Sequence, residues 1–391
     1  MIFSRFRWND SKFLELNDAS SAYIYYRKTR LNLITGYAEI YPFHLFMKAL
    51  EQTSLQESVP HPKVYHFHYE FGLILMGLSH TVGEDVPLVV EIEYEKRSWK
   101  KAPSRVRLEN IKLKSLERPS WTEYKEAFNH IQERLLDGHA YQVNLTYPFE
   151  FETEDMLDPR DIMDFFFTRK GLGAYAHATY YGDEMILSNS PECLFQYRKD
   201  EIFTMPIKGT LRRKGSFAAD WKKLKNDKKE EGELIMITDL LRNDLNRLEY
   251  PRARVHKLKA PLCVPGLLHQ YSLLSVKLEN KISLLKVMEC LFPGGSITGA
   301  PKKRVMEILL EVERYQRGLY SGSTLLCIDD RKMGNINIRT AQVAVGDRLW
   351  RYAAGGGITL LSRPVLEFQE MEDKVSSFLT LLKSPGYTSK K

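Results

Sequence analysis

The order in which strand-like and helix-like segments follow one another most limits the fold of this chain. Strands are predicted around residues 322–329, 336–345 and 348–354, where β-branched, aromatic and other apolar residues are frequent. Gly346-Asp347, between the last two segments, is typical of a hairpin turn. Strands and helices occur in runs and do not alternate as they do in a doubly wound fold. This order predicts an α+β fold with antiparallel sheets.

Helices are indicated by capping residues and by apolar spacing. Ser120-Trp-Thr-Glu123 has the pattern of a capping box and predicts a helix that runs to about residue 136. Apolar residues at 234, 237, 241 and 245 predict a helix over 230–247, and a last helix is predicted over 364–382. Earlier in the chain, residues 63–77 and 86–94 predict strands.

Charge and composition argue against several classes of function. The chain has 391 residues and a net charge of +7, but acidic residues interrupt its densest lysine run, 222–231, which predicts a solvated surface. The longest clearly apolar stretch, 72–78, is far shorter than the roughly 20 residues of a membrane helix. The four cysteines form no Cys-x-x-Cys pair, so neither a zinc site nor a disulfide framework is indicated. We therefore expect a cytoplasmic protein that binds neither nucleic acid nor a membrane.

Two segments contain side chains that could react. In Met205-Pro-Ile-Lys-Gly-Thr210, Lys208 lies between an isoleucine and a Gly-Thr turn. Partial burial there would disfavour the charged form of its amine and favour a nucleophile, whereas the alternative is a surface lysine at a turn. In Ser188-Asn-Ser-Pro-Glu192, Glu192 could act as a general acid if it is desolvated, or could be an exposed carboxylate.

Two glycine-rich segments could bind an anion. Pro293-Gly-Gly-Ser-Ile-Thr-Gly-Ala-Pro-Lys302 precedes a predicted helix, and free backbone amides at such a place suit an anionic ligand. It differs from a Walker A loop because Ala300-Pro301 interrupts the Gly-Lys end. Gly355-Gly-Gly357 follows a predicted strand and, alone, indicates a turn.

The last predicted helix carries a possible cation site. Glu367, Glu370 and Lys374 are separated by three and four residues and therefore share one helix face. Mg²⁺ takes one or two protein carboxylates and leaves places for water and a ligand oxygen. Glu233, at the beginning of another helix, is a candidate second carboxylate. The alternative is a solvent-facing ion pair between Glu370 and Lys374.

Together these segments resemble the chorismate-utilising enzymes, most closely the branch of aminodeoxychorismate synthase component I. The resemblance runs in the family's order from about residue 124 to 382. The matching motifs are Tyr141-Gln-Val-Asn-Leu-Thr146, Ser190-Pro-Glu192, Pro206-Ile-Lys-Gly-Thr210, Asp239-Leu-Leu-Arg-Asn-Asp-Leu245, Pro293 to Lys302, Arg317-Gly-Leu-Tyr-Ser-Gly322, Asn337-Ile-Arg-Thr340, Gly355-Gly-Gly-Ile358 and Glu367-Phe-Gln-Glu370.

Two positions distinguish the branches of this family. Branches that add water to chorismate resemble one another in having a lysine base where this chain has Gln142. A neutral amide cannot activate water, so isochorismate and salicylate synthases are disfavoured. Anthranilate synthases have alanine where this chain has Lys208. Lys208 therefore favours the aminodeoxychorismate branch.

The resemblance implies a covalent mechanism and a set of site residues. Lys208 would add at C2 of chorismate while the C4 hydroxyl leaves with the help of Glu192, and ammonia would then add at C4 and expel the lysine from C2. The other implied catalytic residues are His269, near the reacting hydroxyl, and Thr210. The implied substrate-binding residues are Gln142, Gly295, Ser296, Thr298, Tyr320, Arg339, Gly355, Gly356 and Lys374. Mg²⁺ would be held by Glu233 and Glu370, with Glu367 as a near or water-mediated ligand.

The family's fold is two antiparallel β-sheets packed face to face with helices outside, and we expect it here. Residues 1–115 would be a short, divergent N-terminal region that contributes to the sandwich, and residues 118–386 the chorismate-binding catalytic domain. A separate glutamine amidotransferase subunit would supply ammonia, and the product would lead to para-aminobenzoate and folate. Anthranilate synthase component I and a catalytically inactive chorismate-binding subunit remain the alternatives.

Overall fold

The computed structural model describes residues 1–103, 106–213, 215–249, 253–264 and 267–383. Its strands are β1 (Phe3–Arg7), β2 (Phe13–Tyr25), β3 (Thr29–Asn32), β4 (Ala38–Ile40), β5 (Val59–Phe67), β6 (Val89–Lys100), β7 (Leu113–Glu117), β8 (Gln142–Thr153), β9 (His177–Tyr181), β10 (Glu184–Ser188), β11 (Cys193–Arg198), β12 (Glu201–Thr204), β13 (Ile207–Arg212), β14 (Arg254–Val264), β15 (Leu267–Lys277), β16 (Gly299–Ala300), β17 (Ser323–Asp329), β18 (Arg331–Asn335), β19 (Thr340–Ala344) and β20 (Leu349–Ile358). Its helices are α1 (Phe43–Gln52), α2 (Tyr69–Leu75), α3 (Trp121–Leu136), α4 (Pro159–Phe167), α5 (Phe217–Lys225), α6 (Lys228–Asn246), α7 (Leu284–Leu291), α8 (Gly295–Thr298), α9 (Lys302–Val312) and α10 (Pro364–Leu381).

The strands form one connected network in which neighbouring strands are antiparallel. One half runs in the order β8, β20, β19, β10, β9 and β1, and the other in the order β2, β6, β5, β17, β18, β11, β12 and β15. The pairing of β1 with β2 joins the two halves. N-terminal strands therefore lie in the middle of the network, since β1 also pairs with β9 and β5 with β17. The division of the chain near residue 115 stays a prediction.

The two halves face each other, and helices cover both outer faces. Between the halves lies an apolar cluster that includes Leu16, Ile92, Ile186 and Leu326. The rings of His66 on β5 and His177 on β9, strands that belong to different halves, are 6.0 Å apart. Two further clusters lie outside, one beneath α3, α4 and α10 and the other beneath α1, α2, α6 and α7. The predicted α+β fold of antiparallel sheets with helices outside is confirmed.

Local sequence signals account well for the long helices. The Ser120 hydroxyl accepts a hydrogen bond from the Glu123 backbone, and the Glu123 carboxylate accepts from the Ser120 backbone at 3.0 Å, which is the predicted capping box at the start of α3. α10 begins at Pro364, where the missing N–H of proline costs no helical hydrogen bond. The predicted helices over 230–247 and 364–382 correspond to α6 and α10 within two residues at either end.

Other predicted elements differ from the structure. Residues 63–77 are not one strand, because β5 ends at Phe67 and α2 begins at Tyr69. Residues 69–73 of α2 are all buried, so burial there shows no helical period that a sequence could reveal. The predicted strand over 336–345 is also shorter, because Arg339 has a φ of +52° and the chain enters β19 only at Thr340. Within the described ranges, no helix is long and apolar enough to cross a membrane.

Candidate active site

Lys208 lies on a strand that α6 covers. β13 pairs with β15, so that Lys208 is opposite Gln270, and α6 packs on both strands. The Nζ atom of Lys208 is 3.7 Å from an Oε2 atom of Glu233 near the start of α6, and the two side chains are only 18% and 14% exposed. Lys208 is therefore a largely buried lysine with a carboxylate partner, and not a surface lysine.

Glu192 is held by the turn between β10 and β11. The Ser190 hydroxyl accepts a hydrogen bond from the Glu192 backbone at 3.2 Å and donates to the carbonyl of Ile336 at 2.6 Å. The Ile336 backbone in turn donates to the Glu192 carbonyl at 3.0 Å. These contacts fix the backbone of Glu192 between the two halves of the network, and the residue is only 7% exposed.

The carboxyl of Glu192 is where several predicted site residues meet. Burial raises its pKa, and a hydrogen bond with Ser296 and the charges of Lys208, Arg339 and Lys374 offset part of this rise. The net effect is a raised pKa, so the carboxyl keeps its proton to a higher pH than an exposed glutamate does. A protonated carboxyl beside three cations is suited to donate a proton to a leaving group.

The glycine-rich segment before α9 packs closely on α6. A Cβ on Gly295 would lie 1.9 Å from a methyl carbon of Leu240, so a side chain there would force Leu240 to move. Lys302, at the end of the segment, is 2.7 Å from Asp244 on α6 and donates to the carbonyls of Cys290 and Leu291. The ion pair between Lys302 and Asp244 thus fixes the segment that carries Ser296 and Thr298. Lys302 and Asp244 were not predicted as site residues, although both lie in motifs that match the family.

The second glycine run lies inside a strand, which corrects the expected turn. Gly355, Gly356 and Gly357 belong to β20 and pair with β8. A Cβ on Gly355 would lie 2.1 Å from the carbonyl oxygen of Leu145, and a Cβ on Gly357 would lie 2.1 Å from Nε2 of Gln142. The amide of Gln142 therefore fills the space that a side chain on Gly357 would need. Gln142 is fully buried, and neither atom of its amide has a partner among the described residues.

α10 directs its predicted site residues towards β20. Lys374 donates to the carbonyl of Gly355 at 2.7 Å and is 2.9 Å from Glu370. Glu367 is buried, and one of its carboxylate oxygens would be 3.4 Å from a Cβ on Gly356. Glu370 is more than half exposed. Because Gly355, Gly356 and Gly357 have no side chains, β20 leaves room for Glu367 and Lys374 on the face that α10 covers.

Two turns and one strand contribute the remaining candidates. Burial raises the pKa of Tyr320, which keeps its phenol neutral. Arg339 acts electrostatically on both Glu192 and His269, so its guanidinium belongs to the same site. His269 lies on β15 and its Nδ1 donates to the carbonyl of Gly209 at 3.2 Å, while burial lowers the pKa of its ring. The side chain of Thr210 lies outside the described residues.

Gln270 is a site candidate that the sequence did not indicate. It lies opposite Lys208 and is fully buried, and within the described ranges both atoms of its amide are without a partner. Its Nε2 atom would be 3.0 Å from a Cβ on Gly209. The buried amide therefore lies beside the part of β13 that carries Lys208. Only the pairing of β13 with β15 reveals this, because the two residues are 62 positions apart.

The three predicted metal carboxylates do not form a ready cluster. Glu233 pairs with Lys208 and Glu370 with Lys374. Among the described residues, no group of three or more His, Cys, Asp or Glu side chains is placed to hold a metal ion. Carboxylate oxygens are nevertheless the donors that Mg²⁺ prefers, and one or two are sufficient when water and substrate complete the shell. The donor set fits Mg²⁺, and the metal stays a prediction.

A cleft of 430 Å³ opens beside Glu233. Its walls include Gly232 and Glu233 of α6, Tyr141 before β8, and Thr359 and Leu361 after β20. Glu233 is therefore accessible through the cleft although its side chain is largely buried.

Residues 35–380 match the family described as chorismate binding enzyme. The chain belongs to this family. All of the site residues named above lie within the matched range.

Relatives within the family have two different names. Aminodeoxychorismate synthase component 1 of Salmonella typhimurium is 36% identical over 263 residues, which cover 66% of this chain and 57% of that protein. An anthranilate synthase component 1 of Haloarcula marismortui is 33% identical over 263 residues, which cover 66% of this chain and 51% of that protein. The chain thus spans little more than half the length of these relatives.

A solved structure confirms the fold. The crystal structure of anthranilate synthase component I from Streptococcus pneumoniae superposes on 95% of this chain and 93% of its own, with a TM-score of 0.75 and 18% identity. This similarity shows that the chain shares the antiparallel α+β architecture of that enzyme. It does not distinguish aminodeoxychorismate synthases from anthranilate synthases, so that distinction depends on the site residues.

Proposed function

We propose that this chain is the chorismate-aminating component of an aminodeoxychorismate synthase. The observation that carries the proposal is the largely buried Lys208, which acts electrostatically on the carboxyl of Glu192. Burial raises the pKa of that carboxyl. A nucleophilic amine and a general acid are the two groups that displacement of the C4 hydroxyl needs. The relative from Salmonella typhimurium, which is named aminodeoxychorismate synthase component 1, supports the same choice.

In the proposed reaction, the neutral amine of Lys208 adds at C2 of chorismate. Both double bonds of the ring diene shift, the bond from C4 to its hydroxyl breaks, and Glu192 supplies the proton with which the hydroxyl leaves as water. Ammonia then adds at C4, the two double bonds shift back, and the lysine, held at C2 as a secondary ammonium, leaves as the neutral amine. The new C4 ammonium returns a proton to the Glu192 carboxylate, so charges and protons balance, and the product is 4-amino-4-deoxychorismate.

The charges around the site suit a substrate with two carboxylates. Arg339 and Tyr320 would bind the enolpyruvyl carboxylate, for which a planar guanidinium offers paired donors. Lys374 and the backbone around Gly295, Ser296 and Thr298 would bind the rest of the anion. Glu233 and Glu370, with Glu367 nearby, would hold Mg²⁺, which would supply charge neutralisation at the ring carboxylate.

Ammonia would come from a separate glutamine amidotransferase subunit. The word component in the names of the relatives supports a second subunit. The reaction product would be converted to para-aminobenzoate for folate, and the enzyme would act in the cytoplasm.

Product identification tests the proposal. The purified chain is incubated with chorismate, Mg²⁺ and ammonium, an aminodeoxychorismate lyase is added, and the aromatic product is identified by chromatography and mass. Para-aminobenzoate is the expected product. Anthranilate would instead support the alternative favoured by the Haloarcula relative, which is 33% identical. No turnover, with chorismate still bound, would indicate an inactive chorismate-binding subunit.

A further inference from the structure

A second cavity, of 240 Å³, lies between α2 and the end of α9. Tyr69, Glu70 and Leu73 of α2 form one side, and the segment from Glu313 to Arg317 forms another. Its lining does not include the residues assigned to the chorismate site above. The cavity is therefore a separate feature of the fold.

The charged pair in its wall is already satisfied. Arg317 donates to Glu313 through Nε and Nη2, each at 2.7 Å, and to the carbonyl of Asn144 at 2.7 Å. Glu313 also accepts from the backbone of Thr146 at 3.0 Å. The two side chains are 1% and 5% exposed. This pair holds the wall together and has little capacity left for a ligand.

Two other polar groups in the wall are not satisfied. Tyr69 and Glu70 are only 5% and 4% exposed. In the part of the chain that the structure describes, the Tyr69 hydroxyl and the Oε2 atom of Glu70 have no hydrogen-bond partner. The other oxygen of Glu70 accepts from the backbone of Gly318 at 3.2 Å. Buried polar atoms are nearly always paired, so a group that donates hydrogen bonds is expected to occupy this part of the cavity.

The carboxylate of Glu70 indicates that the group bound in the cavity carries a positive charge. Burial raises the pKa of Glu70 to about 7, and the charge of Arg317 and backbone hydrogen bonds offset part of the rise. A cation with N–H donors would favour the ionised carboxylate and supply the missing hydrogen bond. The other charged or titratable groups that face the cavity are Glu313, Arg314 and Tyr315.

The size and lining indicate the rest of the occupant. The volume of 240 Å³ is about eight times the ~30 Å³ that one water molecule takes up in the liquid. A bare ammonium ion would fill only a small part of it. The apolar residues in the wall are Leu73, Val82, Val86, Met306, Leu309 and Leu310. They suit a short hydrocarbon chain.

We propose that this cavity binds a small primary amine in its protonated form. The ammonium group donates to Glu70 and to the Tyr69 hydroxyl, and a chain of about four carbons packs against the apolar wall. The inference concerns binding alone and does not depend on the reaction proposed above.

Calorimetric titration with n-butylammonium chloride at pH 8 tests the proposal. 1-Butanol has the chain without the charge, and tetramethylammonium has the charge without N–H donors, so both should bind at least tenfold more weakly. Glu70→Gln removes the charge at nearly constant shape and should weaken binding at least tenfold. Tyr69→Phe should weaken it several-fold, and Glu126→Gln, on the exposed face of α3, should not change it.

The pH dependence gives a readout that needs no variant. With a pKa of about 7, Glu70 is mostly ionised at pH 8 and mostly protonated at pH 6, so affinity should fall about tenfold between them. If Glu70→Gln fails to fold, Tyr69→Phe and this pH series still decide. The proposal is wrong if butanol binds as well as the amine, or if Glu70→Gln or the pH change leaves the affinity unaltered. It is also wrong if 50 mM amine gives no binding, because the cavity would then hold only water.

Discussion

Replacing Glu192 by glutamine tests the general acid with almost no change in shape. The backbone contacts of Glu192, to Ser190 at 3.2 Å and to Ile336 at 3.0 Å, do not involve the carboxyl. The amide oxygen of glutamine can still accept a hydrogen bond from Ser296. The variant therefore loses the proton that can be transferred and the negative charge of the ionised form, and it keeps the local structure.

The expected magnitude follows from the role and the surroundings of Glu192. A positioned general acid contributes about 10²–10⁴ to the rate, which corresponds to about 2.7–5.5 kcal/mol of transition-state stabilisation. We expect kcat to fall by this factor. The KM for chorismate should not rise, because removing a carboxylate from among Lys208, Arg339 and Lys374 leaves these cations available to an anionic substrate.

Steady-state kinetics with ammonium and Mg²⁺ over a pH series that begins near the ordinary glutamate pKa of 4.5 provide the assay. Because burial raises the pKa of Glu192, the wild-type rate should fall as the pH rises through that pKa and the acid loses its proton. The residual rate of Glu192→Gln should lack this decrease, and Glu117→Gln on the exposed end of β7 serves as the control. A variant that keeps more than a tenth of the wild-type kcat, or that shows the same decrease with pH, would refute the assignment.

Three further predictions concern the nucleophile, the metal and the fold. Lys208→Ala should abolish aminodeoxychorismate formation and direct any residual product towards anthranilate, since the vacated space admits ammonia to C2. Lys208→Arg should be inactive because a guanidinium stays protonated. A near wild-type rate of Lys208→Ala would exclude a covalent adduct. Glu370→Gln should weaken Mg²⁺ binding by calorimetry and lower turnover at least 100-fold, and unchanged Mg²⁺ affinity would mean that Glu370 only pairs with Lys374. Arg317→Met should lower the free energy of unfolding by about 3–5 kcal/mol in urea titrations, because Glu313 would remain buried without its partner; a loss under about 1 kcal/mol would contradict this account.

The parts of the fold that follow from local rules were predictable. The capping box at Ser120 and the apolar spacing along α6 each act within one or two turns of helix, so the sequence contains all the information. The α+β class also followed from the order of the elements. The secondary structure of residues 67–75 was harder to predict, because a short apolar run suits a strand or a helix equally well. Tertiary packing decides which of the two forms.

The site could be predicted as a set of residues but not as an arrangement. Motifs identified Lys208 and Glu192, yet only the pairing of β13 with β15 shows that Gln270 lies opposite the lysine. The glycines at 355–357 were expected in a turn, because glycine is usual where the chain bends. Here the close carbonyl of Leu145 and the amide of Gln142 exclude side chains from a regular strand. Such contacts join residues more than 200 positions apart, and no local rule contains them.

The charges at the site explain why chorismate and Mg²⁺ are expected to bind together. Lys208, Arg339 and Lys374 carry three formal positive charges, and the three predicted metal carboxylates carry three negative ones. These six formal charges cancel one another before anything binds, and burial raises the pKa of Glu192, which disfavours a further negative charge there. Chorismate brings two negative charges and Mg²⁺ two positive ones, so either alone would leave a partly buried excess charge, which is costly. Chorismate affinity should therefore increase with Mg²⁺ and, by thermodynamic linkage, Mg²⁺ affinity should increase with chorismate by the same factor.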